Sequence, residues 1–128
     1  AKRNPEETKP DVLKNRINEL SREIQVKSRQ VIARFYDNGE IDGDTISVYL
    51  GNKMILSQKR LTAAALEIRI EIPEGQADQE ITLVAENLGT IPPNTSLMIV
   101  ESGGERFEVR ITSTEQKNAL IRFRYKPD

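Results

Sequence analysis

The densest gathering of chemistry-bearing side chains in this sequence is one short segment, DNGEIDGD at 37–44. Asp37, Asn38, Glu40, Asp42 and Asp44 put five oxygen-bearing side chains within eight residues. Gly39 and Gly43 permit sharp backbone turns between them. Calcium is a hard ion that takes about six to eight oxygen ligands, and a loop of this kind can supply them. Asp37, Glu40, Asp42 and Asp44 are therefore the candidate metal ligands, with calcium the candidate ion. The spacing starts like an EF-hand, with Asn38, Glu40 and Asp42 at its first, third and fifth positions and Gly43 at its sixth. The twelfth position is Tyr49 where a bidentate Glu is required, so only a calcium loop of another kind is left. The competing reading is a structural turn in which Asp and Asn close Asx-turns and Ile41 plugs the loop into the core. Paired carboxylates also serve glycoside hydrolysis. With no Trp, three Tyr and three Phe, however, the chain has no aromatic-rich cleft to hold a sugar, so a small carboxylate-based hydrolase ranks last.

Two further groups stand out. Ile91, Pro92, Pro93, Asn94 and Thr95 form a loop stiffened by two prolines, a candidate for rigid recognition set against a plain inter-strand crossover. Asn94-Thr95-Ser96 also matches the glycosylation sequon, which matters only in a eukaryotic secretory host. Arg106, Arg110, Arg122 and Arg124 alternate along two segments and form a candidate basic face for an acidic glycan or acidic partner. That reading needs several of them on one surface. The alternative is a solvated face of mixed sign.

Composition closes off other chemistry. The 128 residues include no His and no Cys, which excludes zinc, haem and iron–sulfur sites, thiol nucleophiles, Ser-His-Asp triads and disulfides. No organic cofactor is implied. Nineteen Lys and Arg balance 20 Asp and Glu, which argues against a nucleic-acid binder. No apolar run approaches the roughly 18–20 residues of a transmembrane helix. The first ten residues contain no apolar signal core, so the chain reads as starting within a mature protein.

The elements that must position these residues are strands. Period-two alternation runs through Leu20, Ile24 and Val26; through Val31, Ala33 and Phe35; and through Ile46, Val48 and Leu50. It continues in Leu66, Ile68, Ile70 and Ile72; in Ile81, Leu83 and Ala85; in Phe107, Val109 and Ile111; and in Ala119, Ile121, Phe123 and Tyr125. Residues 97–100 (LMIV) are apolar on both faces and predict a central strand. Turn signals separate these runs at 37–44, 51–53, 73–75, 91–94 and 102–104. Glu67, Arg69, Glu71, Arg106, Glu108, Arg110, Arg122 and Arg124 lie on outer faces, where they can pair across strands. The expected fold is all-β, an antiparallel sandwich or jelly roll of eight or nine strands. Residues 1–11 read as a flexible leader and 12–128 as a single domain. Val12, Leu13, Ile17 and Leu20 leave the start open between a short helix and extended chain.

YDNGEIDGDTISVYL (36–50) and AENLGTIPPNTSLMIV (85–100) together resemble a β-sandwich module found in exported proteins of Bacteroidetes, described as secreted proteins or lipoproteins. That family's pattern has an acidic YDNGEIDGD turn before a strand like TVSVYLNGK, then an AENLGxIPPNTALM segment and an RYEVRLSS strand. The resemblance spans roughly residues 14–126. Two departures are the order Gly51-Asn52, reversed from the family's Asn-Gly, and Phe107 in place of Tyr. The resemblance implies a β-sandwich, export to the periplasm or cell surface, and two motif loops that are neighbours in space. It brings no catalytic residues.

The expected function is a non-catalytic, exported binding or structural module of the bacterial envelope, whose partner is a protein or glycan. The alternative is a carbohydrate-binding module of a larger surface protein, with Tyr36, Tyr49 and Tyr125 as stacking residues and Phe107 and Phe123 in the core. Self-association through an exposed sheet edge is left open by the sequence.

Overall fold

A computed structural model describes residues 10–37, 44–87, 94–114 and 116–127. The described residues form nine strands in two sheets and one short helix, and the all-β sandwich is the one the alternation predicts. The elements are α1 (Asp11–Asn15), β1 (Ile17–Val26), β2 (Gln30–Asp37), β3 (Thr45–Leu50) and β4 (Lys53–Arg60). They continue with β5 (Leu66–Glu71), β6 (Asp78–Asn87), β7 (Asn94–Ser102), β8 (Glu105–Ser113) and β9 (Lys117–Tyr125). One sheet has five strands in the order β1-β9-β6-β3-β4, and the other has four in the order β5-β2-β7-β8. Neighbours pair antiparallel except β1 and β9, which run parallel. The predicted central strand, β7, lies inside the four-stranded sheet.

Inward residues of both sheets meet in one core, in which Phe35, Ile46, Leu61, Ile72, Ile81, Met98, Ile121 and Phe123 are fully buried. Each such side chain contributes about 1.5–3 kcal/mol through burial.

Two local features depart from simple alternation. The pairing of β1 with β9 shifts register between Leu20 and Arg22, so Ser21 is an extra residue and β1 changes faces there. Leu20, expected to share a face with Ile24 and Val26, is instead 45% exposed and stands beside Leu120 on the outer face. The alternation also did not single out β4. Its register against β3 shifts twice, and Gln58 takes a φ of 46°. The buried Ser47 hydroxyl accepts the Gln58 N–H at 2.9 Å and holds this bulge. An inserted residue breaks the period, so a bulged strand does not read as a strand.

The open question at residues 11–20 resolves into a helix followed by a strand. The Pro10 carbonyl accepts the N–H groups of Leu13 and Lys14 at 2.9 and 3.0 Å, so Pro10 and Asp11 belong to the folded unit rather than to a leader. Residues 1–9 lie outside the described residues. A helix of five residues is too short to be stable alone, so packing must hold it. Leu13 packs with Tyr49 and Val84 on the outer face of the five-stranded sheet, with Val12 beside them. The buried Asn118 amide donates to the Val12 carbonyl and to Asn18 Oδ1, both at 2.9 Å. Asn18 in turn donates to the Leu13 carbonyl at 2.7 Å. Two asparagines thus satisfy carbonyls at the helix end that have no partner within the helix.

At the far end of the sandwich Arg29 acts as a staple. Its guanidinium donates to the carbonyls of Ile72, Pro73 and Gln76 at 3.2, 2.6 and 3.0 Å and lies 4.3 Å over the Tyr125 ring.

Candidate functional site

The described flanks of the acidic segment and the proline loop meet at one end of the sandwich. Asp37, the last residue of β2, is in register with Ser96 of β7, and Thr45 of β3 is in register with Asn87 of β6. Asp44 is 1% exposed, and its Oδ2 accepts the Thr95 N–H at 3.3 Å. Its carbonyl accepts the Leu61 N–H at 2.8 Å, while the Asp37 N–H donates to the Thr62 carbonyl at 3.0 Å. Asp44 therefore ties the entry of β3 to the start of β7, an anchoring role that a buried carboxylate performs well when it accepts backbone N–H groups. Glu40, Asp42, Ile91, Pro92 and Pro93 lie outside the described residues. Asn94 opens β7 in register with Ser113. Among the described residues no group of three or more Asp or Glu is arranged to hold a metal ion.

The four arginines do not form one face, which corrects that expectation. Arg106 and Arg110 are on β8 of the four-stranded sheet, whereas Arg122 and Arg124 are on β9 of the five-stranded one. The reason is topological: the chain changes sheets between β8 and β9, and alternation along a strand does not reveal this. Three of the four also have acidic partners. Arg106 reaches Glu108 at 2.8 Å, and Arg122 reaches Glu80 at 2.7 Å and Glu23 at 3.7 Å. Arg124 reaches Glu23 at 3.5 Å and Asp78 at 3.9 Å. The hydrogen bond to Glu80, followed by its charge, raises the Arg122 pKa above its ordinary value.

The proposed stacking tyrosines divide as well. Tyr49 is buried beneath α1, and Tyr125 lies under Arg29. Tyr36 remains half-buried on the outer face of the four-stranded sheet, in register with Leu97. Phe123 is in the core as expected, and the half-buried Phe107 packs against that core.

A further concavity among the described residues lies elsewhere. It is a groove of about 600 Å³ on the four-stranded sheet, running towards the Gly103-Gly104 turn. Strand register builds its floor: Arg69, Ile32, Glu101 and Arg106 form one row across β5, β2, β7 and β8. Glu71 and Gln30 form the start of the next row. Ser28, Ser102 and Glu105 close the end of the groove near the turn. There Ser102 Oγ donates to the Gln30 carbonyl at 2.7 Å, and Lys27 pairs with Glu105 at 3.1 Å. Both turn glycines have positive φ, 57° and 80°, which gives the I′ geometry that suits a two-residue hairpin. A Cβ on Gly103 would come within 3.1 Å of the Lys27 side chain.

Arg34 lies one row further along, between Glu67 at 3.0 Å and Glu101 at 2.9 Å. Its pKa is raised, first by the hydrogen bond to Glu101 and then by that to Glu67. Arg69 is 78% exposed with a longer contact to Glu67 at 3.5 Å, and Glu71 has no ion-pair partner among the described residues. The groove therefore presents an aliphatic centre with charges of both signs around it, and among the described residues no aromatic side chain lines it. Sequence reasoning missed it because its row draws on four strands. The visible signal was the alternation of charge in Glu67, Arg69 and Glu71 and in Arg106, Glu108 and Arg110.

Fold and groove together define the class: an all-β sandwich with a polar, mixed-charge depression on the outer face of its smaller sheet. No protein-family model, curated protein or solved structure matches the chain.

Proposed function

We propose that this chain is a non-catalytic binding module of the bacterial envelope, and that the groove over Ile32 takes an extended oligopeptide segment bearing both charges. The observation that carries the binding reading is the cross-strand row Arg69–Ile32–Glu101–Arg106, which offers a cation, an aliphatic seat, an anion and a second cation. Adjacent strands are about 4.8 Å apart, so such a row is about 14 Å long, the reach of four or five extended residues. A polypeptide carries apolar side chains and charges of both signs at such intervals. A sugar ring is usually held by an aromatic platform, and among the described residues none lines this groove. The non-catalytic reading is supported by what surrounds the charged groups. Glu101 is paired with Arg34, Glu105 is paired with Lys27, and the Arg34 pKa moves away from neutrality. The placement at the envelope is supported by the resemblance of the two long motifs to exported Bacteroidetes modules.

The test is an NMR titration of the isotopically labelled protein with a random octapeptide pool. A panel of neutral and acidic oligosaccharides is titrated in parallel. The expected result is that the peptide pool shifts the amides of Gln30, Ile32, Glu101, Gly103 and Gly104, and that Ile32→Asp removes the shifts. A response confined to the oligosaccharides would replace the peptide reading with the carbohydrate one, and silence in both arms would overturn the groove as a binding site.

A further inference from the structure

The four sheet edges are unequally protected against pairing with another chain. Exposed edges invite such pairing, and bulges, short length and charge blunt them. In the five-stranded sheet, β1 carries its bulge at Ser21, and β4 shifts register twice, once at the positive-φ Gln58 and once at Ile55. In the four-stranded sheet, β5 is six residues long and runs into Pro73 two residues later. The remaining edge, β8, is nine residues long and keeps an unbroken register with β7 from Ser102↔Glu105 to Asn94↔Ser113. Among the described residues no other strand pairs with it.

The turn determines which of its backbone groups are free. A two-residue I′ hairpin closes on a hydrogen-bonded pair, here Ser102 and Glu105. Alternation then directs the groups of Phe107, Val109, Ile111 and Ser113 towards β7, and those of Arg106, Glu108, Arg110 and Thr112 away from it. The side chains of Arg106, Glu108, Arg110 and Thr112 are exposed. Phe107 is half-buried and borders a depression of about 290 Å³ between the edges of β8 and β1.

We propose that the free edge of β8 is a self-association surface, on which a second copy of this chain lays its own β8 antiparallel about a twofold axis at Val109. This register pairs all nine residues of each strand. Glu105 falls opposite Ser113, Arg106 opposite Thr112, Phe107 opposite Ile111 and Glu108 opposite Arg110. Each of these pairs occurs twice. Two opposite-charge pairs form, and both half-buried phenylalanines gain an apolar neighbour. Shifting the axis to Glu108 would set glutamate against glutamate and Arg106 against Arg110, which is unfavourable. Shifting it to Phe107 would pair only five residues of each strand, 105–109. Charge and length thus select the same register. The product joins two four-stranded sheets into one of eight strands.

Sedimentation velocity over a concentration series tests this. The expected result is a concentration-dependent dimer that weakens with salt. Glu108→Pro removes an N–H that points away from β7, so it should abolish the dimer while leaving the fold intact. Arg69→Pro, the equivalent change on β5, should leave the dimer unchanged. Glu108→Arg and Arg110→Glu should each weaken association at least tenfold, and the double exchange should restore it, because Arg again faces Glu across the axis. These exposed charge variants keep the test decisive if the proline variant fails to fold. A wild-type chain that stays monomeric up to about 1 mM would overturn the proposal, that concentration marking very weak association. So would a dimer that survives Glu108→Pro, or a double exchange no better than the single variants.

Discussion

On the five-stranded sheet, α1 covers part of the outer face, packing Leu13 onto Tyr49 and Val84, and Asn18 and Asn118 bind the helix carbonyls. On the four-stranded sheet the corresponding face is lined with ion pairs. Arg34 bridges Glu67 and Glu101, Arg106 meets Glu108, and the groove over Ile32 stays open. The contrast lies in how each face treats its polar groups. A covering helix brings orphan carbonyls with it, so it docks only where the sheet offers buried donors. Asn118 is such a donor, fully buried on β9. The four-stranded sheet keeps its charges in water, where exposed ion pairs add little stability but present a patterned surface to a ligand.

The largest expected effect comes from opening the covered face. Leu13→Ala should cost about 2–3 kcal/mol in urea denaturation, at the low end for a buried leucine because a five-residue helix can shift to fill part of the space. The midpoint should fall with little change in slope. Next comes Asn118→Ala, which leaves the Val12 carbonyl and Asn18 Oδ1 without their donor and should cost about 1–3 kcal/mol by the same measurement. If both variants were as stable as the wild type, α1 would not seal this face and the two faces would be alike.

The strands with one wet and one dry face were the ones visible in the sequence. In β5, Ile68 and Ile70 point into the core while Glu67, Arg69 and Glu71 point out, so the alternation reports the environment directly. In β3 it does not: Ser47 and Tyr49 are as buried as Ile46 and Val48, because the Gln58 bulge and α1 cover the outer side. The covering partner is remote in sequence, with Leu13 meeting Val84, and no local pattern encodes such a contact. The site followed the same rule. Asp44 was legible as a carboxylate with a role, but whether that role is ligand or anchor depends on Thr95, a long way along the chain. The arginines were legible as exposed, but their division between two sheets follows from topology.

A smaller effect should appear only in alkali. Tyr49 has its pKa raised above the usual phenol value, first by burial under α1 and then by the charge of Glu86. The folded state therefore holds the phenolic proton more tightly than the unfolded chain does. The stability this contributes is complete below the unfolded phenol value of about 10 and is lost as pH rises from there through the higher folded value. Thermal melts should fall more steeply above that pH for the wild type than for Tyr49→Phe. Parallel alkaline slopes would mean that the phenol ring is wet and the helix does not cover it.

The smallest effect belongs to the open face. Arg34→Leu removes both ion pairs at once, yet these face solvent, with Glu67 and Glu101 38% and 47% exposed. Its contribution should shrink as salt rises and be nearly gone at about 1 M, where the Debye length is about 3 Å. Melting wild type and variant side by side at low and high salt measures this. A loss that persisted in high salt could not be Coulombic. It would mean that the Arg34 stem covers Ile99, its in-register neighbour on β7, and that this face too is partly sealed by packing.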